Sequence, residues 1–168
     1  MDATLKCGMT YEVRSYKRSK SGRLWLFDED IVHNLVPIEG LNHMLATEFK
    51  GGAQIGTWYL ALFEGNYTPS AADTAATFPA AAGESVAYAE ATRVAWDEGT
   101  IAIGVLDNAS NRAEFTMSSV VTIYGAALLS ASAKGATTGI LSSIARFSSP
   151  KVGVDVVRVT AGYVLTSA

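Results

Sequence analysis

The sequence predicts a mainly β protein: an antiparallel β-sandwich, jelly-roll-like, carrying one short α-helix. Three observations lead there. From Thr100 to Ala168 the chain is a series of short β-branched and small-residue runs separated by Gly, Ser, Asn and Asp clusters, the pattern of strands in a sandwich or barrel. Ala113, Phe115 and Met117 alternate with Glu114 and Thr116, which marks a strand with one buried face. Only one segment, near residues 39–49, repeats its apolar residues at helical spacing. With 168 residues the chain fits a single domain, and a fold of this size needs no disulfide or metal to hold it.

The elements follow in order. Thr10–Tyr16 and Arg23–Phe27 have strand composition, and the polar stretch Ser15–Gly22 reads as the turn between them. Asp28-Glu29-Asp30 ends that hairpin. The helix is expected over Glu39–Phe49, with Pro37 as its start signal and Gly51-Gly52 as its stop. Leu41, Met44, Leu45 and Phe49 form its apolar stripe. Burying that stripe would make Leu45→Ala cost ~2–5 kcal/mol. Ile55–Phe63 is apolar on both faces, so it is expected as a central, covered strand. Gly65–Ser85, with Pro69 and Pro79, shows no strand pattern and no wide stripe; an excursion of this length is expected to reach a neighbouring subunit.

Extended structure resumes over Val86–Val94, turns at Trp96–Gly99, and continues over Ile101–Leu106. Runs at 120–129, 140–147 and 152–165 complete eight to ten strands, with a bulge expected near Val156-Val157 where the apolar parity shifts. Trp58, Leu60, Leu62, Phe115, Ile123 and Phe147 are expected in the core. Trp25 carries the same bias, whereas Trp96, beside Asp97-Glu98-Gly99, reads as a loop residue.

Charge is uneven. Residues 1–23 hold six cations against two carboxylates, a balance of +4; the chain totals −3, so the remainder carries −7. The domain reading is a basic N-terminal arm or hairpin at 1–23 and a single β-sandwich over 24–168 with the excursion at 65–85. A solvated hairpin turn is the plainer interpretation of the basic segment, and a docking arm the sharper one. An acidic chain argues against direct nucleic-acid binding. The opening residues lack the pattern of a secretory signal, and no apolar run is long enough to cross a bilayer as a helix. The single cysteine, Cys7, has no intrachain partner.

Motifs that carry chemistry are missing. Lys134 precedes its glycine, so it is no phosphate-loop lysine, and no Gly-x-Ser-x-Gly elbow occurs. His33 and His43 stand ten residues apart, without the spacing of a zinc pair. Asp28, Glu29 and Asp30 lack the carboxylate alternation of a calcium loop. The expectation is no enzyme, no catalytic or metal-ligating residue, and no cofactor.

Several phrases taken in order carry a resemblance. They are Glu39-Gly40-Leu41-Asn42-His43-Met44-Leu45, Thr57-Trp58-Tyr59-Leu60-Ala61-Leu62-Phe63, Tyr88-Ala89-Glu90-Ala91-Thr92-Arg93 with Trp96, Ile123-Tyr124-Gly125-Ala126, and Ser132–Gly139. Together they resemble small virion structural proteins of tailed bacteriophages, of the capsid decoration (cement) type, over about Glu39–Phe147. The resemblance implies a subunit made in the host bacterial cytoplasm and placed on the outer surface of the head. It would bind major capsid protein as a homo-oligomer, dimer or trimer, without membrane or direct nucleic-acid contact. The alternative is a tail or tail-fibre sandwich that binds a receptor or carbohydrate, for which Trp25, Trp58 and Trp96 are candidates. Expected capsid or subunit contacts are Tyr11, Arg14, Tyr16, Lys17 and Arg18 on the basic segment, Tyr67 and Phe78 on the excursion, and Trp96. Surface charge pairs are worth only ~0–1 kcal/mol each, so arm docking would need Tyr11, Val13 or Tyr16 as well.

Overall fold

The first strand holds the centre of a sheet. In the structure, a computed structural model describing residues 7–165, β1 (Cys7–Arg18) pairs antiparallel with β2 (Leu24–His33) on one side and β9 (Val156–Leu165) on the other. On the far edge of β9 come β5 (Val105–Asp107) and β6 (Ala113–Thr116), which pair with successive parts of it. The second sheet runs β4 (Val94–Trp96), β3 (Trp58–Phe63), β7 (Thr122–Leu129), β8 (Leu141–Val152), all antiparallel. Two antiparallel sheets with one α-helix make the expected mainly β sandwich.

The core between the sheets follows from strand alternation. Met9, Tyr11, Val13, Val157 and Val159 face Leu60, Leu62, Ile123 and Leu128, with Phe115 and Phe147 filling the ends. Five of the six expected core residues are buried there, and Trp58 is half-buried against them. Buried Tyr11 donates or accepts at Ser143 Oγ, 2.6 Å away, so its hydroxyl bridges the sheets.

Arm behaviour is therefore ruled out for the strand itself: residues 7–18 form its central ladder, and only the Ser19–Arg23 end projects as a hairpin turn. Residues 1–6 lie outside the described residues. The bulge expected in β9 is absent from its ladder with β1, which runs unbroken from Val156 to Leu165. Register shifts fall instead in β2, where Ser15 pairs with Asp28 and Tyr16 with Leu26, leaving Phe27 unpaired, and between β7 and β8 at Ile123/Gly125 and Leu128/Leu129. Residues 86–93 are mostly bends with no strand of their own; Tyr88 forms an isolated bridge with Met117, the Ala89 amide donates to the Thr116 carbonyl (2.8 Å), and the Glu90 carboxylate accepts from the Thr116 amide. Ile101–Gly104 forms a turn, so the expected strand there shrinks to β5.

The Gly65–Ser85 excursion turns inward. It covers the outer face of the second sheet, where Ala75, Phe78 and Ala82 pack on Ala61, Phe63, Ala127, Leu129, Leu141 and Ile144. Phe78 is buried, its ring edge-on to Phe63 at 6.3 Å, so it is unavailable to a neighbour. A five-residue π-helical turn, Pro79–Gly83, closes this cover. The apolar residues on both faces of β3 are thus explained: one face meets the first sheet, the other the excursion. Gly125 is required where Phe63 crosses β7, because a Cβ there would lie 2.2 Å from the Phe63 ring and from the Ala145 carbonyl oxygen.

Candidate interaction surfaces

Helix α1 (Ile38–Phe49) starts after Pro37 as expected, but it presents the opposite face. Gly40 is its one buried residue: a Cβ there would meet the Ser142 carbonyl oxygen at 2.5 Å, so the helix backbone lies directly on β8. Glu39 fixes the seat, its Oε2 accepting from the Ala75 amide (2.8 Å) and the Leu141 amide (2.6 Å). That one carboxylate ties helix, excursion and β8 together. His43 packs edge-on to Trp58 at 5.6 Å, and Met44 is half-buried. The apolar stripe points the other way. Ile38, Leu41, Leu45 and Phe49 are exposed, Leu45 by 56% and Phe49 by 76%. The expected burial of Leu45 is corrected accordingly. Periodicity located the stripe; Gly40, with no side chain to show in an apolar pattern, decides which side meets the sheet.

The β1–β2 hairpin end is the second surface. Trp25, Leu26 and Phe27 are all about half exposed, with the Trp25 and Phe27 rings 5.6 Å apart and edge to face. Trp25 is thus a surface residue, against its expected place in the core. Lys17 Nζ lies 3.9 Å from the Phe27 ring centroid, a cation–π contact. Arg18, Lys20 and Arg23 are exposed beside them, and none of the four cations is in an ion pair among the described residues. Higher on the same sheet, Arg14 bridges Glu12 (2.8 Å) and Glu29 (3.0 Å), and Tyr16 is half-buried under Arg158. Arg14 is thus satisfied within the chain.

The remaining expected contacts divide. Tyr67 is half-buried on the excursion and donates its hydroxyl to Asp73 Oδ1 (2.5 Å); this bond, with partial burial, pushes its pKa up to about 12. Tyr11, Phe78 and Trp96 are buried, which removes them from any contact surface of the folded chain. Trp96 is in β4, its Nε1–H donating to the Ala161 carbonyl (2.9 Å), so it closes the gap between the sheets and stands at no loop tip. Lys17 and Arg18 remain accessible at the hairpin end, and no contact gathers all eight residues into one patch.

Two buried ionic clusters were not legible in the sequence. Arg93 and Glu84 pair through two bonds, Nε to Oε1 at 2.8 Å and Nη2 to Oε2 at 2.7 Å, with side-chain exposures of 0% and 2%. Arg93 also donates to the Ala131 and Ala136 carbonyls, and Glu84 accepts from the Gly135 amide. At the seam between β2 and β8, buried Lys151 reaches Asp28 at 2.6 Å and Asp30 at 3.6 Å. Asp30 also accepts from the Ser148 amide and hydroxyl. Burial alone would raise the Asp30 pKa; the Ser148 hydrogen bonds and the Lys151 charge outweigh it and hold the carboxyl below its ordinary value. Both clusters fasten loops and edges.

Chemically the surface is plain. Two shallow depressions, of about 200 and 250 Å³, lie beside Gly162 on the first sheet and beside Ile144 at the β8 edge. Among the described residues no three His, Cys, Asp or Glu side chains gather closely enough to hold a metal ion, and no helix is long and apolar enough to cross a membrane. No protein-family model matches the chain, and comparison with curated proteins gives no significant match.

Proposed function

We propose that this chain is a bacteriophage virion structural protein, a capsid decoration subunit that binds the assembled head from outside and bridges adjacent major capsid subunits. The observation that carries the reading is α1, whose apolar stripe faces solvent while a glycine makes the contact with the body. A helix seated in this way offers four large apolar side chains to another protein at no cost to its own core. The first phrase of the sequence resemblance, Glu39–Leu45, lies on this helix. The rest suits a passive load-bearing part: both faces of the second sheet are covered, the buried Arg93–Glu84 pair fastens the 84–93 and 131–139 loops, and buried Lys151 ties β8 to Asp28 and Asp30 on β2. The reading assigns no catalytic turnover. Of the tryptophans that its alternative, a tail or tail-fibre module binding a receptor or carbohydrate, would use, Trp96 is buried and Trp58 half-buried, and Trp25 is exposed at the hairpin end.

The test is co-sedimentation of purified protein with expanded phage heads, immature heads and tails. Binding to expanded heads, abolished by Leu45→Ser with Phe49→Ser while the protein stays folded, is the expected result. Binding to tails alone, or heads bound equally well by the double variant, overturns it.

A further inference from the structure

The molecule has two charge poles. One is the hairpin end, which carries Lys17, Arg18, Lys20 and Arg23 together with exposed Trp25 and Phe27, Lys17 lying over the Phe27 ring. The other is the connector from β4 to β5. Residues 97–104 form eight consecutive exposed positions, including Asp97, Glu98, Ile101 and Ile103, and Asp107 follows on β5. The Gly99 amide bonds to the Asp107 carbonyl (2.7 Å), which draws the loop back against β5. Asp97, Glu98 and Asp107 form no ion pair among the described residues; Asp97 accepts from the Asn111 side chain and Asp107 from the Ala109 amide.

The tip of this connector is unusual in itself. Ile103 is fully exposed and has φ of +49°, followed by Gly104 at +73°. A β-branched residue in the left-handed region is a true outlier and is strained there. Here two hydrogen bonds between Ala102 and Val105 lock it in place. The turn spends backbone strain to hold an apolar side chain in water.

The poles sit at opposite ends of one sheet. Asp107 is in register with Gly162, which pairs with Thr10, whereas the basic end starts at Arg18. Eight residues of β1 separate those levels, about 26 Å at ~3.3 Å per residue. The ends match in kind: cations around exposed aromatic rings on one, carboxylates around exposed isoleucines on the other. Patches that are complementary but lie at opposite ends cannot satisfy each other within one chain; a two-fold pair would have to lie side by side and antiparallel to join them, whereas copies stacked end to end join them directly. They fit a heterologous contact, which repeats into a ring or a filament.

We propose that the protein assembles head to tail with further copies of itself, the basic aromatic hairpin end of one copy seating on the acidic Asp97–Gly104 connector of the next. The contact is separate from the α1 stripe and holds whatever surface that stripe binds. Ile101 and Ile103 supply the apolar centre against Trp25 and Phe27, and the charges set orientation and rate of encounter.

Sedimentation velocity of the full chain tests this. Mass is expected to grow with concentration at low salt, and association to weaken by about tenfold at high salt, the equivalent of two or three exposed ion pairs. Lys20→Glu with Arg23→Glu makes one variant, and Asp97→Lys with Glu98→Lys a second. Each alone is expected to stay monomeric, and their equimolar mixture to associate again, since each reversed pole then meets its complement. Ile103→Asn adds an independent arm: it relieves the left-handed strain, so it should raise the melting temperature while weakening assembly. A wild-type chain that is monomeric at every concentration in low salt overturns the proposal. So does a mixture of folded variants that does not reassociate, or a hairpin reversal that abolishes head binding while the wild-type chain shows no self-association.

Discussion

Replacing Glu84 by Gln is the most exacting single test of how this sandwich is held together. The Arg93 side chain is fully buried and spends Nε and Nη2 on the two Glu84 oxygens, with the Ala131 and Ala136 carbonyls taking two further N–H groups. Glutamine keeps the shape and changes the chemistry. One of its two polar atoms becomes an NH₂ donor, which must face a guanidinium N–H or turn away from it. The guanidinium then stays charged, buried and short of a counter-ion. Removing one partner of such a pair costs about 3–5 kcal/mol, whereas the intact pair need not stabilise much relative to well-packed apolar residues. For a chain of this size roughly 2–4 °C accompanies each kcal/mol, so the melting temperature should fall by about 6–20 °C. Chemical denaturation of wild type, Glu84→Gln, Arg93→Met and the double variant gives the coupling directly. The double variant should cost clearly less than the two singles added together. A Glu84→Gln loss below about 1 kcal/mol, or strict additivity, would refute the claim that this pair fastens the 84–93 and 131–139 loops, because exposed pairs are the ones worth that little.

Three further outcomes follow from the geometry. Deleting residues 1–23 removes the central strand between β2 and β9, so circular dichroism should show an unfolded chain rather than a sandwich lacking an arm. Leu45→Ala should shift stability by less than about 1 kcal/mol in a denaturant titration, since the side chain is more than half exposed; a loss of ~2–5 kcal/mol would mean that the stripe is buried in solution. Asp30 contributes stability with a definite sign: its folded pKa is depressed, so the unfolded state binds the proton first and the contribution is complete above the unfolded value near ~3.9. That contribution is lost as pH falls through the folded pKa. Asp30→Asn should therefore flatten the acid limb of stability against pH below about 4, and an unchanged limb would assign acid unfolding to other carboxylates.

The sequence carried the fold class well because it is written in alternation. Ala113, Phe115 and Met117 announce one buried face, and β3 announces two. What it concealed were features set by the third dimension. Tyr11 and Arg14 look alike as members of a basic segment, yet strand parity sends one into the core and the other into a surface ion pair. Trp96 stands beside three loop-forming residues but ends a strand whose partner is Trp58. Trp25 has a core composition around it, but it pairs with Lys17, beyond the Tyr16 end of the β1–β9 ladder, and its ring stays about half exposed with Phe27 edge-on beside it. The excursion lacks a strong periodic pattern because small side chains, Ala75 and Ala82, do much of the covering around the single large ring of Phe78.

These displacements share one physical logic that bears on how the protein is used. The second sheet is apolar on both faces and would be an aggregation surface if its outer side were open. The excursion closes it within the same chain, so the cover is present at any concentration and needs no partner. Large apolar side chains left in water are then found mainly on α1, at the hairpin end and on the 97–104 connector, with isolated cases such as Val120 elsewhere. The first three belong to elements anchored by groups on their other side: Gly40 and Glu39 for the helix, the Asp155 bond to the Arg18 amide for the hairpin, and the Asp107 carbonyl for the connector. Anchoring and presentation thus use different residues on each element. Substitutions of Phe49, Trp25 or Ile103 should alter association while leaving the unfolding transition within a few tenths of a kcal/mol, apart from the relief of strain at Ile103. Substitutions of Glu39 should do the reverse, because its two backbone bonds seat α1 on β8 and the excursion. If Glu39→Gln left stability untouched and Phe49→Ser lowered it by several kcal/mol, the helix would be packed the other way round, and the surface assigned to binding would be core.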